Sequence, residues 1–509
     1  MSSSTATAPY RLVPARLAPV AVPVLDASQR AVVSHPGGPL LVLAGPGTGK
    51  TTTLVEAVAD RVDRGLSPEQ ILVLTFSRKA ADELRERIAG RLGRTLSEPA
   101  AHTFHAFCSA LVSAYGDGVP RLLSGPERLV RIRDLLAGDA AGQGSTRWPA
   151  ELRQCVTTRG FAQEVADLLD RLRERALGAD DLRVLARREG RDDWRAAADF
   201  FDEYSQVLRG RETDYAELVA EALRLLESDL TVLAAVRDRY RAYFIDEYQD
   251  TDPAQERMLQ LLAGDGRDLV VVGDPDQSIY WFRGADVSCL LDFPSRFRSR
   301  GAPAPVLSLA VSRRSGPTLL GVSRCVAAGL PAPGLPVASL LAHRAVEAAP
   351  TVPDGTVSLA IFGTAADEAT AIADLLRRAH LGRLEPDSAG LPMPWSEMAI
   401  LVRSGVRSLP MLRRALVAAG VPVAVASDEV PIARDPAVAP LLQVLRAADD
   451  IATLSSAELL DLLGSPLVRA SPAQLRRLGR ALRARERADD AERRAADPSL
   501  SQAYPRPSA

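Results

Sequence analysis

The chain has 509 residues, 47% of them apolar and 25% charged, with a formal net charge of −2. That balance belongs to a globular protein of about three domains and excludes a collagenous, low-complexity or disulfide-stapled chain. It also excludes a globally basic nucleic-acid binder, so any such role has to rest on local patches.

Residues 1–24 read as a Ser/Thr/Ala/Pro tail expected to be disordered. Pro9, Pro14, Pro19 and Pro23 interrupt its apolar residues, which argues against a signal peptide or a membrane span. Pro39–Ala44 is a short apolar run that predicts a buried strand, followed by a glycine-rich loop and a helix over Gly49–Arg64. Ile71–Phe76 predicts the next strand and Lys79–Leu92 the next helix. This order opens a parallel α/β sheet.

Across 108–230 Leu, Ala and Arg recur at helical spacing, and a mostly helical insertion is expected. Strands return at Ala242–Ile245, Leu269–Gly273 and Val306–Leu309, so the first α/β lobe is expected over 25–107 and 231–303. A second α/β region is expected over 304–450. It would hold strands at Thr356–Phe362, Met398–Val402 and Val421–Ala426 and helices at Ala366–Ala379 and Leu409–Ala419. Residues 451–509 read as helix and then a polar tail. The fold class is therefore α/β with two lobes and helical insertions. Cys108, Cys155, Cys289 and Cys325 are scattered without a CxxC pair and read as reduced thiols of a cytoplasmic protein, with neither zinc site nor disulfide framework.

Of 62 basic side chains only Lys50 and Lys79 are lysines. A lysine kept against such a bias marks a place where a planar guanidinium is too wide. Lys50 closes Ala44-Gly45-Pro46-Gly47-Thr48-Gly49-Lys50-Thr51-Thr52, a phosphate-binding loop with Ala44 where the strict pattern asks for Gly. Backbone N–H groups of Gly47, Thr48 and Gly49 are expected to face a β-phosphate. Lys50 would reach the β/γ oxygens and Thr51 would ligate Mg²⁺.

Phe244-Ile245-Asp246-Glu247-Tyr248-Gln249-Asp250-Thr251 places adjacent carboxylates at a strand end. Asp246 would hold Mg²⁺, directly or through water, and Glu247 would orient and deprotonate the attacking water. In Gly273-Asp274-Pro275-Asp276-Gln277-Ser278-Ile279-Tyr280-Trp281-Phe282-Arg283-Gly284-Ala285, Gln277 is placed to sense a γ-phosphate. Tyr280, Trp281 and Phe282 admit two readings, core packing and a platform for stacked bases; the second accounts for an aromatic cluster on a polar loop.

The order of these segments, with Leu25-Asp26-Ala27-Ser28-Gln29, Leu74-Thr75-Phe76-Ser77-Arg78-Lys79, Thr103-Phe104-His105 and Thr213-Asp214-Tyr215, resembles the superfamily 1A DNA helicases of the UvrD/Rep/PcrA group. The likeness covers about residues 25–430. In its phrasing and its Arg/Ala-rich insertion the chain is also similar to the AdnA and AdnB motor subunits of actinobacterial helicase–nucleases. The resemblance implies two RecA-like lobes, the second incomplete, with ATP and Mg²⁺ as cofactors. It implies single-stranded or duplex DNA as partner, and a second helicase–nuclease subunit as a possible one.

It further implies that Gln29 reads adenine, with Arg313 replacing a tyrosine that stacks on the base. Arg314 would approach the γ-phosphate, and Phe76, Lys79, Thr103, His105, Tyr280 and Phe282 would touch DNA. The family's later Lys-Gly and Thr-Arg-Ala motifs are not found after Arg314. The sequence is therefore expected to be the first part of a longer 3′→5′ helicase of DNA repair. The alternative is a subunit that binds ATP and DNA without turnover of its own.

Overall fold

The computed structural model describes residues 22–93, 100–116, 118, 120–280, 284–331, 334–383, 392–424, 438–450, 454–465 and 467–496. The expected tails up to residue 21 and from residue 497, together with Trp281 and Phe282, lie outside them. The chain divides into two compact units, residues 1–357 and 358–509.

The first unit is built on a six-stranded, all-parallel sheet. Its strands are β1 (Pro39–Leu43), β2 (Ile71–Thr75), β3 (Ala101–Thr103), β4 (Ala242–Ile245), β5 (Asp268–Gly273) and β6 (Val306–Ser308), in the spatial order β6-β1-β5-β4-β2-β3. β1, β2 and β4 are buried at every residue, as continuous apolar runs covered on both faces must be. Leu41 and Leu43 enter one core with Phe104, Phe107, Leu218 and Met258. Leu40 and Val42 enter the opposite core with Leu54, Val58, Leu84 and Ile88. In register, Leu41 lies beside Val271 of β5 and Val306 of β6. β6 therefore belongs to this sheet, and the lobe runs past the boundary expected at residue 303: a parallel ladder to β1 holds the half-buried Val306–Ser308 as an edge of the same layer.

The helices that place the site are α1 (Ala27–Val33), α2 (Lys50–Asp63), α3 (Arg78–Leu92) and α4 (Phe104–Tyr115). The insertion adds α5 (Gly125–Ala140), α6 (Arg159–Glu174), α7 (Ala179–Glu189), α8 (Asp192–Leu208) and α9 (Tyr215–Ser228). It is narrower than the expected 108–230. Its own core, with Trp148, Phe200 and Tyr204, draws on residues between Leu123 and Leu208. α4 and α9 instead pack on the sheet through Cys108, Leu111, Leu218 and Leu223.

Asp214 ties the insertion to the sheet-bound helices. Its Oδ2 lies 3.1 Å from both Arg173 Nη1 and Arg128 Nε and accepts the Tyr204 hydroxyl at 3.0 Å. Its Oδ1 caps α9 by accepting Glu217 N–H at 2.8 Å. Burial raises the carboxyl pKa, but the two guanidinium groups outweigh it and hold the group below its ordinary range.

The second unit has α-helices at Ala365–His380, Gly405–Ala418, Ala439–Asp449, Ser456–Gly464 and Pro472–Ala496. The first two pack through Ala369, Ala373, Leu412 and Leu416. The strands expected at Thr356–Phe362 and Met398–Val402 do not form, nor does any among described residues 421–424. Leu359, Ile361 and Leu401 are more than nine-tenths exposed. A strand exists only with a neighbour to take its N–H and C=O groups, and the described residues of this unit set none beside them. No described helix is long and apolar enough to cross a membrane.

Asp214→Ala should lower stability by about 1.5–3 kcal/mol, because it removes the acceptor shared by Arg173, Arg128 and Tyr204 and leaves the guanidinium groups to Glu217 and Asp170. Urea unfolding measures this; a loss below about 1 kcal/mol, the range of an exposed ion pair, would show that the network does not hold the insertion.

Candidate nucleotide site at the carboxyl edge of the sheet

Parallel strands present all their carboxyl ends at one edge, where ligands of open α/β sheets bind. Here β1 ends in the phosphate loop, its neighbour β5 ends in Asp274–Gln277, and β4 ends in Asp246–Glu247. Segments far apart in sequence converge for that reason alone.

Gly47 and Gly49 sit at φ +73° and +86°, a region favoured by glycine. A Cβ on Gly47 would lie 2.4 Å from Arg314 Cβ and 2.6 Å from Ser312 Oγ. The cradle is thus shaped for a chain without side chains. Ser312 Oγ donates to Pro46 O at 3.0 Å, and Arg313 N–H donates to Gly47 O at 2.8 Å. The loop also closes on itself. Thr48 turns both its hydroxyl and its N–H to Gly45 O, at 2.8 and 3.3 Å, so this N–H does not face outward as expected. α2 starts at Lys50 with Gly49 as a cap that has no side chain, leaving its first-turn N–H groups to an outside acceptor. Ala44 is fully buried at the end of the strand; Thr51 and Thr52 lie half-buried in the first turn.

Lys50 Nζ donates to Glu247 Oε2 at 2.9 Å. Gln249 Nε2 reaches the same oxygen at 2.8 Å, and Gln249 Oε1 accepts Asp274 N–H at 3.0 Å. Glu247 is held in the left-handed region at φ 52°, a strained conformation that positions its carboxylate over the loop. Asp246 is buried beside it. Burial, and then the charge of Glu247, push its carboxyl up to about 6. Asp250 is pushed up to about 7 by the same two causes, and its Oδ1 is buried with no partner. Three carboxylates thus lie near one ammonium, a charge excess that a divalent cation would relieve. Gln249 and Asp250 were not singled out from sequence; both stand in the strand-end segment that carries Asp246, and only their burial separates them from solvated turn residues.

Gln29 is buried, its Nε2 donating to Thr48 O at 3.2 Å and its Oε1 accepting Asp26 N–H at 3.1 Å. Arg313 Nη2 pairs with Asp26 Oδ2 at 2.9 Å. Arg314 is exposed, its backbone against Gly47. Gln277 Nε2 donates to Asp274 Oδ2 at 2.5 Å.

Farther along the same edge, Phe76 and Tyr280 pack with centroids 4.9 Å apart and ring planes at 30°. Lys79 is exposed in the first turn of α3. His105 meets Tyr215 edge-on at 5.3 Å, and Arg78 Nη2 donates to the Tyr215 hydroxyl at 3.4 Å. Burial and the Arg78 charge hold the His105 pKa below its ordinary value, so the ring is neutral at pH 7. Thr103 is buried, and its hydroxyl caps α4 by accepting Ala106 N–H at 3.1 Å. Phe282 lies outside the described residues.

The arrangement is that of a candidate P-loop nucleotide site on a RecA-like lobe. Residues 25–298 match the UvrD/REP helicase N-terminal domain. That is more than half of the chain, and the chain belongs to this family. It is 32% identical over 318 residues to the ATP-dependent DNA helicase UvrD2 of Mycobacterium tuberculosis, covering 60% of this chain and 43% of that protein. It is 33% identical over 285 residues to UvrD1 of the same organism, with 53% and 35% covered. To PcrA of Staphylococcus aureus it is 29% identical over 307 residues, with 59% and 39% covered. The chain spans less than half the length of these relatives.

Asp246→Asn should stabilise the cation-free protein at pH 8 by up to about 3 kcal/mol, since each pKa unit is worth about 1.4 kcal/mol. The sign follows from the raised pKa. The folded state holds its proton more tightly, so wild-type stability falls as pH rises from about 4 to the folded value of about 6. The two proteins should therefore converge on acidification through that window. A denaturation gap independent of pH would remove Asp246 as the cause.

Proposed function

We propose that this chain is the ATP-driven motor portion of a DNA helicase that moves 3′→5′ along a single strand in DNA repair, in the cytoplasm. The observation that carries the reading is the 2.9 Å pair between Lys50 and Glu247. It sets the loop ammonium and the carboxylate after β4 across one small space, at a helix N-terminus shaped for phosphate. A nucleotide's β/γ-phosphates would compete for Lys50 and free Glu247.

Thr51 and Asp246 are the residues that would hold Mg²⁺; the ion would supply neutralising charge at the phosphates. Glu247 takes the proton of the attacking water. A bond forms from that oxygen to the γ-phosphorus, and the bond to the bridging oxygen breaks, leaving its electron pair on ADP. Gln277 and Arg314 are assigned to the γ-phosphate, and Gln29 and Arg313 to the base, where a guanidinium plane can stack as a tyrosine would. Phe76 and Tyr280 are assigned to stacked bases, and Lys79 and His105 to the strand's backbone. Thr103 contributes by capping the helix that presents His105. The UvrD and PcrA relatives are named ATP-dependent DNA helicases, which supports the class of reaction. A second helicase–nuclease subunit is the partner that the likeness to AdnA and AdnB favours.

The test is ATP hydrolysis with and without single-stranded DNA. Glu247→Gln should bind ATP as well as the wild type while losing about 10²–10⁴-fold in single-turnover hydrolysis, the worth of general-base assistance. Lys50→Ala should lose nucleotide binding itself. A Glu247→Gln change below tenfold would remove Glu247 as the base. Binding of ATP and DNA with no stimulated turnover would favour a binding subunit.

A further inference from the structure

The helix Val337–Arg344 has one buried residue, and it is polar. Val337 and Leu341 point to solvent, 72% and 64% exposed, while His343 is 3% exposed. Leu340 rests against the core of the sheet, but with valine and leucine turned outward and a histidine inward, apolar packing alone does not set this face.

His343 sits between two segments of the nucleotide site. Its ring faces the start of the phosphate loop, where a Cβ on Gly45 would lie 3.7 Å from Cε1. Its Nε2 lies 3.0 Å from Asp274 Oδ1. The other oxygen of that carboxylate accepts the amide of Gln277. The Asp274 backbone N–H is held by Gln249, which also holds Glu247. Asp274 has four committed partners, since its Oδ1 also accepts Asp276 N–H at 2.9 Å. Burial raises its pKa, but the bonds from His343 and Gln277 outweigh this, and the group is ionised. An ionised carboxylate only accepts, so His343 carries its proton on Nε2. Next to it, Arg344 grips Asp276 through two bonds of 2.9 and 2.6 Å, which fixes the helix to the loop in register.

We propose that His343 is a positioning residue for terminal-phosphate recognition: through Asp274 it orients the Gln277 amide, and with it the response of the site to a third phosphate. The proposal rests on the nucleotide reading above. Without the histidine, Asp274 loses a donor and rotates, and the Gln277 amide loses its fixed acceptor. Contacts to the α- and β-phosphates come from the N–H groups of the loop and the first turn of α2, and do not involve the Gln277 amide.

Calorimetric titration with Mg-ADP and with the Mg complex of the β,γ-imido ATP analogue tests this on the 509-residue chain. His343→Ala should weaken the triphosphate analogue about tenfold, the size of one hydrogen bond to a charged group, and leave ADP within about twofold. His343→Gln, whose amide can donate to Asp274, should restore most of the loss. The double variant with Gln277→Ala should bind the analogue no more weakly than Gln277→Ala alone, because both act through one group. Equal losses for both nucleotides, an unchanged ratio in His343→Ala, or additive losses in the double variant would each overturn the proposal. A wild-type chain that binds neither nucleotide would overturn the nucleotide reading itself. Should His343→Ala fail to fold by circular dichroism, His343→Gln is compared with His343→Leu, which keeps bulk without a donor.

Discussion

The parallel pairing of β1 with β5, and of β5 with β4, is the constraint on which the site depends. Leu43 pairs with Gly273, and Ile245 with Val271, so β1 and β5 end together and β4 ends two residues earlier in the register. Every segment of the candidate site then begins from one line: the phosphate loop from β1, the carboxylates from β4, the Asp274 turn from β5. The apolar runs that bury these strands on both faces fix their order. They also keep water from Asp246, which is buried at that edge, so its charge interacts strongly with its neighbours.

That same dryness is costly. Asp246 and Asp250 both sit where burial disfavours their ionised forms, and Glu247 adopts a backbone conformation uncommon outside glycine. A lobe optimised for stability alone would carry neutral groups at these positions. The arrangement is reasonable for a protein whose phosphates and cation complete the charge balance, and the Lys50–Glu247 pair is the compensation available within the chain. Gln249 matters in this light. A buried amide with one end on Glu247 and the other on Asp274 turns two strand ends into one unit, and a rigid unit loses little on reorganising when charge develops.

Much of this was legible in the sequence, for identifiable reasons. The buried strands announce themselves because parallel strands read as unbroken apolar runs, and the loop because its glycines have no alternative. β3 did not, since Ala101-His102-Thr103 is three residues without apolar pattern, recruited by β2 through the Val73–Ala101 register. The strands expected in the second unit failed for the converse reason: apolar runs such as Ser358–Phe362 satisfy the pattern, but a pattern does not supply a ladder partner. Gln249, Asp250 and His343 were invisible as functional candidates because their meaning lies in what they touch. Asp214 was noticed only as part of a family segment. Its physical role, joining the buried Arg173 and the half-buried Arg128 to a helix cap, needs four elements to be in place first.

The helix that carries His343 extends this logic beyond the recognisable segments. The carboxyl edge of a parallel sheet is crowded with acceptors, and each must find a donor or a cation. Lys50 supplies one, Gln249 and Gln277 supply neutral ones, and the segment after Arg314 supplies two more through His343 and Arg344. Motif-based reading stops at the residues that would meet the ligand. The acceptors those residues leave unpaired decide which parts of the chain must pack behind them, and here that requirement brings Val337–Arg344 onto the turn that holds Gln277.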